Sequence, residues 1–125
     1  MTYEPLSPHE IEAKLRACVT DLTKSERSLA EARDVEVATE HEYLAAHRRA
    51  LLSPDCPTVQ RGGATVAVRD AWVDEQCKDE RYAHRLAEVA LQAAQDHSRT
   101  VRDVTSTVQS IASLTRSALS LAGHS

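Results

Sequence analysis

The sequence predicts an all-α protein: a long antiparallel two-helix hairpin, packed as a coiled coil and self-associating into a helical bundle. Three observations lead there. The 125 residues contain only three glycines and four prolines, so the chain has few places to turn. Apolar and small side chains recur at 4-3 spacing over two long stretches, the period of a coiled-coil seam. Aromatics are 3% of the chain, with no Phe, while alanines number nineteen. Such a composition suits a narrow repeated stripe better than a core of large rings.

A chain of this length fits one domain, residues 1–125. Residues 1–6 read as a short extended lead. Ser7, Pro8 and Glu10 form a helix start: a capping hydroxyl, proline at the first helical position, and a carboxylate three residues after the cap. Nothing interrupts until Pro54, so helix 1 is expected over about 8–52, roughly 65 Å at 1.5 Å per residue. Pro54, Pro57, Gly62 and Gly63 mark a loop over 53–64. Thr65 is placed to cap the next helix, which no Gly or Pro interrupts before Gly123. Helix 2 is therefore expected as one element over about 66–122, roughly 85 Å.

On helix 1 the seam reads Ile11, Leu15, Cys18, Leu22, Ser25, Leu29, Ala32, Glu36, Thr39, Tyr43, Ala46 and Ala50. On helix 2 it reads Val73, Gln76, Glu80, Ala83, Ala87, Ala90, Ala94, His97, Val101, Val104, Val108, Ile111, Thr115, Ala118 and Ala122. Folding back about the middle of the loop sets Leu22 against Ala94, Leu15 against Val101 and Glu36 near Arg81. Helix 2 then overshoots helix 1, leaving Ile111, Leu114, Leu119 and Leu121 without an internal partner. Two helices alone leave one side of the seam wet. Self-association is the expected remedy, as a homodimer or higher homo-oligomer. The overhang and Trp72, near the start of helix 2, are the candidate self-association or partner contacts.

The charge balance excludes several classes. Fifteen Lys and Arg face nineteen Asp and Glu, giving a net charge of -4. The signs are interspersed, so no basic block offers counterion release to a phosphate backbone. The stretch 104–125 carries Arg116 as its only formal charge, which removes the basic face a membrane-surface helix needs. No apolar run is long enough to span a bilayer, and no signal peptide is expected from the first residues. Three widely spaced cysteines do not form a disulfide framework and fit a reducing compartment.

Chemistry-bearing patterns are weak. Glu80, His84 and Glu88 share one face of helix 2 at i, i+4, i+8, a spacing able to bind a metal. A di-iron bundle would need Glu-x-x-His pairs, and Ala38, Leu44, Arg81 and Ala94 stand three before His41, His47, His84 and His97. A solvated charged face is the preferred reading, and no metal or other cofactor is expected. Cys18 and His97 approach each other in the folded hairpin without an orienting acid. Arg61-Gly62-Gly63-Ala64 lacks the lysine and spacing of a phosphate loop. Cys56 and Cys77 match no zinc pattern. No catalytic residues are assigned, and the chain is expected not to be an enzyme.

The stretch from Arg99 to Ala118, the helix start Gly63-Ala64-Thr65-Val66-Ala67, and Tyr43 with Arg49-Ala50-Leu51-Leu52 resemble small helical-hairpin proteins of tailed bacteriophages and prophages, including those of actinobacteria. The closing Leu-Gln-Ser-Leu-like segment would be Val108-Gln109-Ser110-Ile111. The resemblance covers roughly residues 25–120 and brings no catalytic residues with it. It implies a non-enzymatic, phage-encoded protein acting through protein–protein contacts in the host cytoplasm, on itself and on a host or phage protein. The alternative it suggests is an accessory factor in phage DNA recombination or replication, binding nucleic acid weakly or through a partner. The tail departs from that alternative by lacking basic residues. The Trp-x-Gly turn of secreted type VII hairpins is absent: Trp72-Val73-Asp74 has no glycine.

Overall fold

The computed structural model describes residues 7–123, and the lead expected over 1–6 lies outside them. Among the described residues there are three helices: α1 Pro8–Leu52, α2 Val66–Gln76 and α3 Lys78–Gly123, of 45, 11 and 46 residues. Among the described residues there is no strand, only a bridge between Val59 and Ala64. No helix among them is long and apolar enough to cross a membrane.

The helix starts follow from local chemistry. Ser7 and Glu10 form a reciprocal capping box: the Glu10 N–H donates to Ser7 Oγ (3.2 Å) and the Ser7 N–H to Glu10 Oε2 (3.3 Å). At α2 the Val68 N–H donates to the Thr65 hydroxyl (3.2 Å), with Thr65 itself extended. Between α1 and α2 the chain turns over Gln60–Gly63, closed by the Gly63 N–H on the Gln60 carbonyl (3.0 Å). Gly62 has φ +80° there, a conformation that only glycine adopts freely.

The second long helix is not continuous. It breaks at Cys77, whose backbone (φ −115°, ψ 22°) leaves the helical region. The Val73 carbonyl accepts both the Cys77 N–H (3.2 Å) and the Cys77 thiol (3.1 Å). Such side-chain bonding to the preceding turn bends helices. Val73 and Cys77 are the most deeply buried side chains, and with Ala46 and Ala50 they form a small core that Tyr43, Cys56 and Trp72 cover. Val73 and Cys77, four residues apart, share the face that meets Ala46 and Ala50 of α1.

The chain divides into two compact units. One takes the residues up to Ala30 together with those from Ala93 onward, the other Glu31–Gln92. In each, α1 packs antiparallel against α3. Within the first unit Ile11 and Leu15 share a groove with Ala112 and Thr115, Cys18 lies beside Val101 and Thr105, and Arg102 bonds Glu26 (2.8 Å). Within the second, Glu36 meets His84 (3.0 Å). These pairs centre on the Gln60–Gly63 turn rather than on the middle of the loop, which displaces the expected pairing by about a turn. Cys18, one turn on from Leu15, therefore lies beside Val101, which was expected opposite Leu15. Arg81, expected near Glu36, pairs with Asp74 (3.7 Å).

Every expected seam position of α1 is buried or half-buried. On α3 only Glu80, Ala87, Ala94, Val101, Val108, Ile111 and Thr115 are, while Ala118 and Ala122 are exposed. The buried stripe runs Cys77, Glu80, His84, Ala87, Leu91, Ala94, Ser98, Val101, Thr105, Val108, Ala112 and Thr115. Gln76, Ala83, Ala90, His97 and Val104 are exposed, each replaced in the seam by the next residue. Helix 2 is thus rotated from its expected face, and His97 points away from the buried Cys18.

Candidate functional site

In the Glu31–Gln92 unit, α1 carries Glu36, Glu40 and Tyr43 one turn apart, and α3 carries His84 and Glu88 one turn apart. Rotation of α3 turns His84 inward, where Ala83 was expected. Its Nε2 lies 3.0 Å from Glu36 Oε1 and its Nδ1 3.2 Å from Glu88 Oε1. His84 and Glu36 are largely covered, with 16% and 21% of their side chains exposed. The Tyr43 ring stacks on the imidazole, centroids 6.2 Å apart and planes 12° apart, and meets His47 edge-on at 6.1 Å. Ligand atoms of Glu36, Glu40 and His84 lie within 4.8 Å of one another. Among the described residues no Lys or Arg pairs with Glu36, Glu40 or Glu88.

Sequence reasoning saw His84 and Glu88 as a solvated face and Glu36 as a seam carboxylate. It missed Glu40 and the convergence of all four. The missing signal was the phase of α3, which decides whether His84 faces α1 or water.

A second feature lies beside the buried stripe, about 100° around α3. The positions left out of the buried stripe join others into a second stripe at 3-4 spacing. In the Glu31–Gln92 unit it comprises Ala83, Leu86 and Ala90, with Tyr82 and Val89 beside it, all exposed. In the other unit it comprises Ala93, His97, Thr100, Val104, Thr107, Ile111, Leu114, Ala118 and Leu121, exposed except for the half-buried Ile111. Leu114 and Leu121 stand out at 72% and 75% exposure. Many hydroxyls of α3 are satisfied within the helix: Thr100, Thr105, Thr107 and Ser110 donate to carbonyls four residues earlier at 2.8–3.1 Å.

The other candidate contacts sit differently. Leu119 lies on the buried stripe's phase and lines a groove of about 240 Å³ with Pro8, Ile11 and Leu15. Trp72 is half-buried against the Val73–Cys77 core. The three cysteines are free, Cys18 and Cys77 buried and Cys56 half-buried. Burial pushes the Cys77 thiol pKa up, with Asp74 and Glu80 acting in the same direction and Arg81 opposing.

No protein-family model, curated protein or solved structure matches the chain.

Proposed function

We propose that the protein works as a non-enzymatic, self-associating helical module, with the outward stripe of α3 as the seam for a second copy. The carrying observation is that stripe itself. A helix with one apolar stripe needs one neighbour; α3 carries a second stripe beside the one that α1 covers, which leaves room there for another helix. Ala83 and Ala90 keep the second face low, so another helix can approach closely, while Leu86, Val104, Leu114 and Leu121 supply the area to bury.

A net charge of -4 with interspersed signs favours a protein partner over nucleic acid.

Sedimentation equilibrium of the wild type and of a Leu86→Asp, Leu114→Asp variant tests the proposal, with circular dichroism to verify retained helix. The wild type is expected above monomer mass at micromolar concentration, and the variant at monomer mass. A monomeric wild type at tens of micromolar overturns it.

A further inference from the structure

The geometry points to a divalent transition-metal site, of the kind that takes Zn²⁺, built from His84 Nε2, Glu36 and Glu40, with Glu88 orienting the imidazole. The argument begins with the ring's two nitrogens. Carboxylates face both: Glu88 at Nδ1 (3.2 Å) and Glu36 at Nε2 (3.0 Å). A neutral imidazole has one N–H, so it satisfies one carboxylate and turns a lone pair toward the other. Something positive must lie on that second line, either a second ring proton or a metal ion.

Three features favour the ion. Glu88 binding Nδ1–H directs the Nε2 lone pair at Glu36, the carboxylate–histidine–metal relay by which proteins orient metal-binding imidazoles. Glu40, one turn along α1, brings a third donor within 4.8 Å of the other two. Glu36, Glu40 and Glu88 together also outweigh a single imidazolium charge, and among the described residues no Lys or Arg pairs with them. A divalent cation answers that imbalance more fully than the single charge of an imidazolium.

The dimensions fit. Donors about 2.0–2.1 Å from a tetrahedral zinc stand about 3.3 Å from one another, close to the 3.0 Å between Nε2 and Glu36. Glu40 is exposed and has the side-chain freedom to close the remaining gap. Water would take the fourth position. One imidazole with carboxylates suits zinc and its neighbours, and stacking against Tyr43 holds the ring plane. All the donors belong to one chain, so the site does not depend on self-association.

The test is titration of the full chain with Zn²⁺ by calorimetry and with Co²⁺ by visible absorption. The expected result is saturable binding of one ion per chain, with Co²⁺ bands lacking thiolate charge-transfer absorption. His84→Ala is expected to abolish it, Glu40→Gln to weaken it at least tenfold, and Glu88→Gln to weaken it about 10–100-fold. Cys56→Ser is expected to leave it unchanged. Glu40 is exposed, so Glu40→Gln, with helix content verified by circular dichroism, separates ligand loss from misfolding. No saturable uptake overturns the proposal, as does uptake that survives Glu40→Gln and His84→Ala or disappears in Cys56→Ser.

Discussion

The His84 imidazole lies 3.0 Å from the Glu36 carboxylate, joining α3 to α1 inside the Glu31–Gln92 unit. The contact is largely covered, and Glu88 completes it from the next turn. Hydrogen bonds to charged groups contribute more than exposed ion pairs. In metal-free protein, His84→Ala is expected to cost about 1–2 kcal/mol by urea denaturation. A double-mutant cycle with Glu36→Ala should show coupling of at least about 0.5 kcal/mol; additive losses would show that the contact contributes nothing.

The hydroxyls of Ser25 and Ser98 are buried without a hydrogen-bond partner. Both lie on the seam of their unit, where a dry hydroxyl costs desolvation energy and returns none. Replacing Ser98 by Ala removes the unsatisfied group and improves helix propensity. The expected result is a gain of about 1 kcal/mol in unfolding free energy, with Ser25→Ala acting in the same direction. A destabilised Ser98→Ala protein would contradict this account of the seam.

Val73 is almost fully buried beside Cys77, Ala46 and Ala50. Alanine neighbours have no side-chain freedom with which to fill a gap. Val73→Ala should therefore leave a cavity and cost about 2 kcal/mol. Val66→Ala, at an exposed residue of the same helix, should change stability by less than about 0.5 kcal/mol. Thermal unfolding of the two variants distinguishes them.

Thiol chemistry should follow burial. Cys18 and Cys77 are buried, and the Cys77 pKa is raised, so at a given pH less of it is thiolate. Under native conditions at pH 8, Cys56 is expected to react first with a thiol reagent. Cys77 should react only as fast as its surroundings open, and all three cysteines should react promptly in denaturant. Peptide mapping of the labelled protein gives the order directly.

Much of the architecture was legible in local chemistry. Ser7, Pro8 and Glu10 announce the start of α1, Thr65 that of α2, and the Pro and Gly residues of 53–64 the break between them. These signals act over a few residues, through a cap, a missing N–H or a free φ, so no tertiary contact is needed to read them. The α1 seam was also legible, since Ile11, Leu15, Leu22 and Leu29 leave little choice of face.

The break at Cys77 and the phase of α3 were not legible. Neither Gly nor Pro marks the break; it falls at Cys77, whose N–H and thiol share the Val73 carbonyl beside Ala46 and Ala50. Two readings of the α3 seam share Glu80, Ala87, Ala94, Val101 and Val108 and differ by one residue between them. Hydropathy alone prefers Ala83, Val104 and Ile111 to His84, Thr105 and Ala112. One residue is a 100° step around a helix, and α3 has apolar side chains on both sides of it. The sequence by itself therefore determined that two long helices would pair around a 4-3 stripe. Which side of α3 meets α1 is settled by packing against α1, because both phases of α3 carry apolar side chains and local chemistry does not separate them. The same choice turned His84 toward Glu36 and left Leu86, Leu114 and Leu121 facing outward.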